Sequence, residues 1–338
     1  MIGSRYDATM LVRHRLVSDA LVVSPEVRAM ISNVVVESGV DARARKASGL
    51  FIAVRFQVNG KEHCARFGYR GANLIQWEGN RKIEKGSGKL LYTGSLSLSP
   101  SKTIGIGGNV CPWATEACIR SCVEHNGNGK IPNVQLARIA RKAAFSGAQK
   151  VFCDLLEQEL TVADQIACDA GKPIGVRLNC FSDIPWEKHI GLGKFHDLCF
   201  YDYSKGWSRL RTGFHLGDSD ADLGLGKLCF PNYRICFSSI GVGEDWARVE
   251  RYLRRGGTVA VVFFDRNNPG VTKCAYNQQL PREYRGFRVI DGDKTDDRFH
   301  DEQGVIVGLR LKSPSWREWD FATQSGFPID WRSVQIAN

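Results

Sequence analysis

The run Thr258-Val-Ala-Val-Val-Phe-Phe264 is apolar at almost every position. A strand that does not alternate buries both faces, so this run belongs inside a sheet covered on both sides. Similar runs recur at residues 90–98, 174–180, 198–203, 233–239, 287–290 and 304–310. Helical stretches separate several of them. One spans about 134–170 with Gly147 as an internal break, and a short one covers 186–195. Residues 244–255 form an amphipathic helix that Gly256-Gly257 stops. Strands alternating with helices indicate a parallel sheet. Roughly seven such units in roughly 230 residues predict an α/β fold, a full or partial (β/α) barrel. The competing layout is a doubly wound open sheet, but its G-x-G-x-x-G fingerprint is missing after the first strand.

Residues 1–88 read differently. Phe51-Ile-Ala-Val-Arg-Phe-Gln-Val58 is a strand, Asn59-Gly60 a hairpin turn, and residues 62–69 the returning strand. Residues 82–89 are polar and contain glycine, as linkers do. We therefore expect a small, mostly β accessory domain over 1–88 and a barrel-like domain over 89–338.

In an α/β barrel, chemistry sits beyond the C-terminal ends of the strands. Those ends carry Arg177, Asn179, Ser182 and Asp183, then Tyr201, Asp202 and Lys205, then Ser238-Ser239, and later Asp291 and Asp293 within the acidic run 291–297. Polar turns arise for local reasons too, so the inference rests on the set rather than on any one residue. Asp183, Asp202 and Lys205 are the candidate catalytic groups. Arg177, Asn179, Ser182, Tyr201, Asp291 and Asp293 are the candidate substrate-binding groups. Arg177 and Asn179 share a strand face. The guanidinium needs either a carboxylate, Asp183 or Asp202, or an anionic ligand. The 291–297 run suits a divalent ion, a sugar hydroxyl or a solvated turn.

The first of these strands leads into Cys111-Pro-Trp-Ala-Thr-Glu-Ala-Cys118-Ile-Arg-Ser-Cys122, spaced C-x6-C-x3-C. The chain has eleven cysteines, and most of the other eight sit in apolar patterns as small hydrophobes. Three soft ligands on one loop fit a site-differentiated [4Fe–4S] cluster, which needs three cysteines and leaves one iron open. They also fit zinc with His125 as fourth ligand, and structural cysteines without a metal.

The net charge of +10 favours a polyanionic partner, a nucleotide or nucleic acid. No stretch has the roughly 18–20 apolar residues of a membrane span, and no leader pattern opens the chain. Reduced cysteines in a long chain fit an intracellular protein. The oligomeric state is not legible.

Several motifs together resemble the mycobacteriophage "gene product 88" family. They are Leu90-Leu-Tyr-Thr-Gly-Ser, the Cys111-Pro-Trp loop, Gln135-Leu-Ala-Arg, Val176-Arg-Leu-Asn with Ser182-Asp183-Ile and Trp186-Glu187, Phe200-Tyr-Asp-Tyr-Ser-Lys205, and Val289-Ile-Asp-Gly-Asp293. The resemblance covers about residues 89–312. It implies a phage or prophage origin, hence the cytoplasm of an infected or lysogenic host, and implies no activity. The placement of Cys111, Cys118 and Cys122 after a first strand is also similar to radical S-adenosylmethionine enzymes. That likeness implies a cluster with S-adenosylmethionine as cofactor, although the C-x3-C-x2-C spacing and a Gly-Gly-Glu run are lacking.

Three functions follow as expectations. The first is a radical S-adenosylmethionine-like enzyme modifying a nucleotide or nucleic acid. The second is a zinc-containing barrel enzyme doing base exchange or glycosidic cleavage through Asp183, Asp202 or Asp291. The third is a non-catalytic nucleic-acid-binding protein using the basic helix from Arg138 to Lys150.

Overall fold

A pair of long helices lies between two sheets. The computed structural model describes residues 12–17, 31–44, 48–77, 88–100, 108–120, 122–125, 129, 131–210, 230–265, 279–312 and 324–330. The first sheet is an antiparallel meander of β1 (Val12–Val17), β2 (Ile31–Val40), β3 (Leu50–Val58) and β4 (Lys61–Gly68). The hairpin falls where the sequence places it. Val58 pairs with Lys61, and Asn59 and Gly60 both take positive φ, 51° and 79°, as a two-residue hairpin turn demands.

The second sheet holds β5 (Thr93–Ser95), β6 (Ile174–Arg177), β7 (Leu198–Ser204), β8 (Tyr233–Ser238), β9 (Val259–Phe264), β10 (Glu283–Tyr284), β11 (Phe287–Asp291), β12 (Ile306–Arg310) and β13 (Ile329–Asp330). Its spatial order is β10-β11-β12-β9-β8-β7-β6-β5. Only the β10–β11 pair is antiparallel among the described strands of this sheet. β13 pairs with β9 at Phe263 and Phe264, beyond the point where β8 leaves it.

The described helices are α1 (Glu116–Arg120), α2 (Pro132–Gly147), α3 (Gln149–Ala170) and α4 (Trp246–Arg254). Pro132 opens α2, where a missing N–H costs nothing. The predicted break falls at Ala148, whose φ of −146° leaves the helical region. Gly171 ends α3 in the left-handed conformation. Asp245 caps α4 by accepting from the Arg248 N–H at 3.1 Å.

The apolar faces of α2 and α3 share one core with both sheets. Val36, Ile52, Val54 and Phe56 pack with Ala143, Phe152 and Leu156, and these with Val176 and Phe200. Trp186, fully buried, sits edge-on to Phe145 and stacks on Phe152. A second core joins α4 to β8, β9 and β12 through Phe237, Leu253, Val261 and Ile306.

The expected full or partial (β/α) barrel is not what forms. Its strands are present and parallel, but the helices that would complete the outer ring are not found among the described residues. The β6–β7 connection carries two 3-10 turns, Trp186–Lys188 and Leu192–Lys194, where a barrel needs a helix. The β11–β12 connection carries none. The strand order also breaks, because β12 inserts between β9 and β11, whereas a barrel sets successive strands side by side. Among the described residues no pairing joins β5 to β10 or β11. The strand runs were legible because apolar β-branched segments have a local signature. The missing helices were not, because a connection's length does not fix its structure. Among the described residues no helix is long and apolar enough to cross a membrane.

Candidate functional site

The C-terminal ends of the parallel strands open into a cavity of about 250 Å³. The loop after β5 closes one side. Asp183 N–H donates to the Val110 carbonyl at 2.7 Å, and Cys111 Sγ lies 3.4 Å from the Phe181 carbonyl, so this loop is pinned to the end of β6. Thr115 Oγ1 accepts from the Cys118 N–H at 3.2 Å and starts α1. Trp113 rests on Gly206, which has no side chain to displace it. The result is that Cys111, Cys118 and Cys122 line one cavity, together with Cys180 from beyond β6. Burial pushes the Cys122 and Cys180 thiols up.

The opposite wall is basic. Arg177, Lys205, Arg310 and Lys312 line the cavity against the carboxylates Asp183 and Asp293. Arg177 is the last residue of β6, and its partner is neither of the carboxylates the sequence suggested. Its Nη1 donates to Asp296 Oδ2 at 2.9 Å, and its guanidinium lies 4.8 Å from the Tyr203 ring centroid. Burial opposes its charge, but Asp296 outweighs this and the group stays well above the ordinary arginine range. Lys205 donates to the Ser238 carbonyl, Ser238 Oγ and the Ser239 carbonyl at 3.1, 2.9 and 3.0 Å, at the end of β8. Burial lowers its amine. Arg310 donates to both Asp291 oxygens at 2.7 and 3.0 Å, and Lys312 to Asp293 at 2.6 Å. The acidic run is thus held by cations rather than left open for a divalent ion.

Beneath the cavity runs a buried network with Arg209 at its centre. Arg209 donates to Asp183, to both Glu187 oxygens at 3.2 and 3.1 Å, and to the Tyr233 hydroxyl at 2.7 Å. Tyr233 donates on to Asp202 at 2.8 Å. Asp202 also accepts from the Asn179 N–H and Nδ2 at 2.8 and 3.0 Å. Asn179 Oδ1 accepts from Ser182 Oγ and the Ile184 N–H, both at 2.8 Å. Ser204 Oγ and the Lys205 N–H fill the second oxygen of Asp183 at 3.0 and 3.1 Å. Burial raises Asp183, and raises Asp202 to about 6.

The structure therefore brings together Cys111, Cys118, Cys122, Arg177, Asn179, Ser182, Asp183, Lys205 and Asp293. Asp202 and Tyr201 lie below, buried. Asp291 faces a neighbouring groove with Arg282, Arg288, Lys294 and Arg310, and Arg310 lines both spaces. The His125 side chain lies outside the described residues. Residues 138–150 do not present one basic face to solvent, because Arg138 and Lys142 are buried. Sequence reasoning missed Arg209, Cys180, Arg310 and Lys312. Arg310 and Lys312 sit at a strand end by the rule already applied. Arg209 follows no strand and carries no such signal.

Among the described residues no group of three Cys, His, Asp or Glu side chains is arranged to chelate a single ion. The thiols nonetheless share one wall, and soft thiolates are the donor set of iron–sulfur centres.

The family model described as Gene product 88 matches residues 72–328, beginning just after β4. No curated protein and no solved structure matches the chain.

Proposed function

We propose that this chain, which belongs to the Gene product 88 family, is an enzyme that modifies a nucleotide or nucleic acid, with Cys111, Cys118 and Cys122 holding an iron–sulfur cluster. The observation that carries the reading is the meeting of these thiols with Arg177, Lys205, Arg310 and Lys312 on one cavity. Three thiolates serve three irons of a four-iron cluster and leave the fourth for S-adenosylmethionine or substrate. When bound, such a cluster supplies single electrons to a ligand on the open iron. A lone zinc needs its ligand atoms about 4 Å apart around one point. Thiols that share a wall without such convergence suit a larger centre.

The chain's own residues do the rest. Arg310 and Lys312, at the mouth shared with the groove of Arg282, Arg288 and Lys294, attract phosphate, and the net charge of +10 steers a polyanion inward. Phe181, Val262, Leu309 and Phe327 give the cavity apolar surface for a base or sugar face. Arg209 fixes Asp183, and Asp183 fixes the strand-end backbone at Lys205. Lys205, with its amine lowered by burial, is the group best placed to move a proton.

Reconstitution with iron and sulfide under anaerobic conditions tests this. The protein should turn brown with about four irons per chain, and Cys118→Ala should lose both iron and colour. A wild-type protein that takes up neither iron nor sulfide ends the proposal.

A further inference from the structure

Helix α2 sends Arg138 and Lys142, one turn apart on the same face, into the interior behind the cysteine loop. Arg138 is 6% exposed and Lys142 0%. Side chains of this kind are almost never fully buried without compensation. The carboxylate beside them is Glu124, also buried, whose Oε1 stands 3.9 Å from Arg138 Nη1, too far for a hydrogen bond. Arg138 Nε and Nη1 have no hydrogen-bond partner. Its guanidinium lies flat over the Phe181 ring at 3.9 Å, and Phe181 lines the cavity.

Two buried cations thus face one carboxylate, and their remaining electrostatic neighbours are thiols. Arg138 feels Cys122 and Cys180, and Lys142 feels Cys111. Neutral thiols do not offset a buried charge, and burial accordingly pulls Arg138 down and Lys142 down to about 8. A buried cation without its counter-charge is strongly destabilising, and an orphaned buried donor calls for a missing acceptor. A cluster carried by three thiolates has net negative charge and would stand on the far side of Phe181.

We infer that Arg138 and Lys142 are the counter-charge of an anionic metal–thiolate centre on the cysteine loop, acting through Phe181 and across the loop rather than by touching substrate. The inference rests on the proposed cluster. The two residues are positioning and charge-balancing groups, not catalytic ones.

The test compares Lys142→Met with wild type in two states, metal-free and reconstituted with iron and sulfide. In the metal-free protein the substitution removes an uncompensated buried charge, so the melting temperature should hold or rise. In the reconstituted protein it removes a counter-charge, so the melting temperature should fall relative to wild type. The one-electron reduction of the cluster should also become about tenfold less favourable, which is a 59 mV more negative potential. If Lys142→Met does not fold, Arg138→Gln carries the same expectations. A melting shift of the same sign in both states, with an unchanged potential, overturns the inference and leaves the cluster standing. Failure of the wild-type chain to take up iron overturns both.

Discussion

Arg209 Nη1 donates to Asp183 Oδ1 from beneath the cavity, joining the loop after β7 to the loop after β6. The same guanidinium holds Glu187 and Tyr233. Removing it leaves two buried carboxylates without their cation, which costs about 3–5 kcal/mol. Arg209→Met should therefore lower the denaturant midpoint sharply, and Arg209→Lys should recover part of the loss. A midpoint shift within error for Arg209→Met would mean that the network does not hold the site together.

Asp202 makes stability depend on pH. In the unfolded chain its carboxyl titrates near 4, and in the fold burial raises it to about 6. Between those values the folded protein keeps a proton that the unfolded chain has released. The stability from this group is complete below about pH 4 and lost as pH rises through about 6, on the order of 3 kcal/mol in all. Denaturation midpoints measured across that window should decline in the wild type relative to Asp202→Asn. Parallel curves would refute the assignment.

Gly206 is needed for space, not for backbone freedom, since its φ is −85°. A Cβ there would come within 2.6 Å of Trp113 Cδ2. Gly206→Ala should cost roughly 1–3 kcal/mol and should speed alkylation of Cys118 by loosening the loop that Trp113 anchors. Alkylation at the wild-type rate would show that Trp113 does not anchor it.

Arg310 and Lys312 are the proposed phosphate contacts. Each charge-assisted contact is worth about 1.5–3 kcal/mol, so Arg310→Gln and Lys312→Ala should each weaken binding of a nucleoside triphosphate about tenfold or more. Lys150→Ala, at an exposed surface ion pair, should leave it unchanged. Calorimetric titration reads both, and equal affinities across the three variants would remove these residues from the site.

Much of this was legible in the chain because it has local causes. The apolar run 258–264 became β9, Asn59-Gly60 became the hairpin, and the break near Gly147 divided α2 from α3. Placing chemistry at strand ends led to Arg177, Asp183 and Lys205. The pairing of Arg177 with Asp296, 119 residues away, is a product of folding alone. The basic character of residues 138–150 was equally visible, yet which side of α2 faces water depends on the sheets packed around it. Barrel closure failed for the same reason, since strand order is not written in any one segment.

The central claim is that the loop thiols and the basic strand ends form one site. Electron paramagnetic resonance of the reduced, reconstituted protein tests it most directly, recorded with and without a saturating nucleoside triphosphate. The account predicts a cluster signal that changes when the nucleotide binds, with the change weakened in Arg310→Gln in step with the lost affinity. A cluster signal that stays the same while calorimetry shows the nucleotide bound would place the two in separate sites and contradict the account.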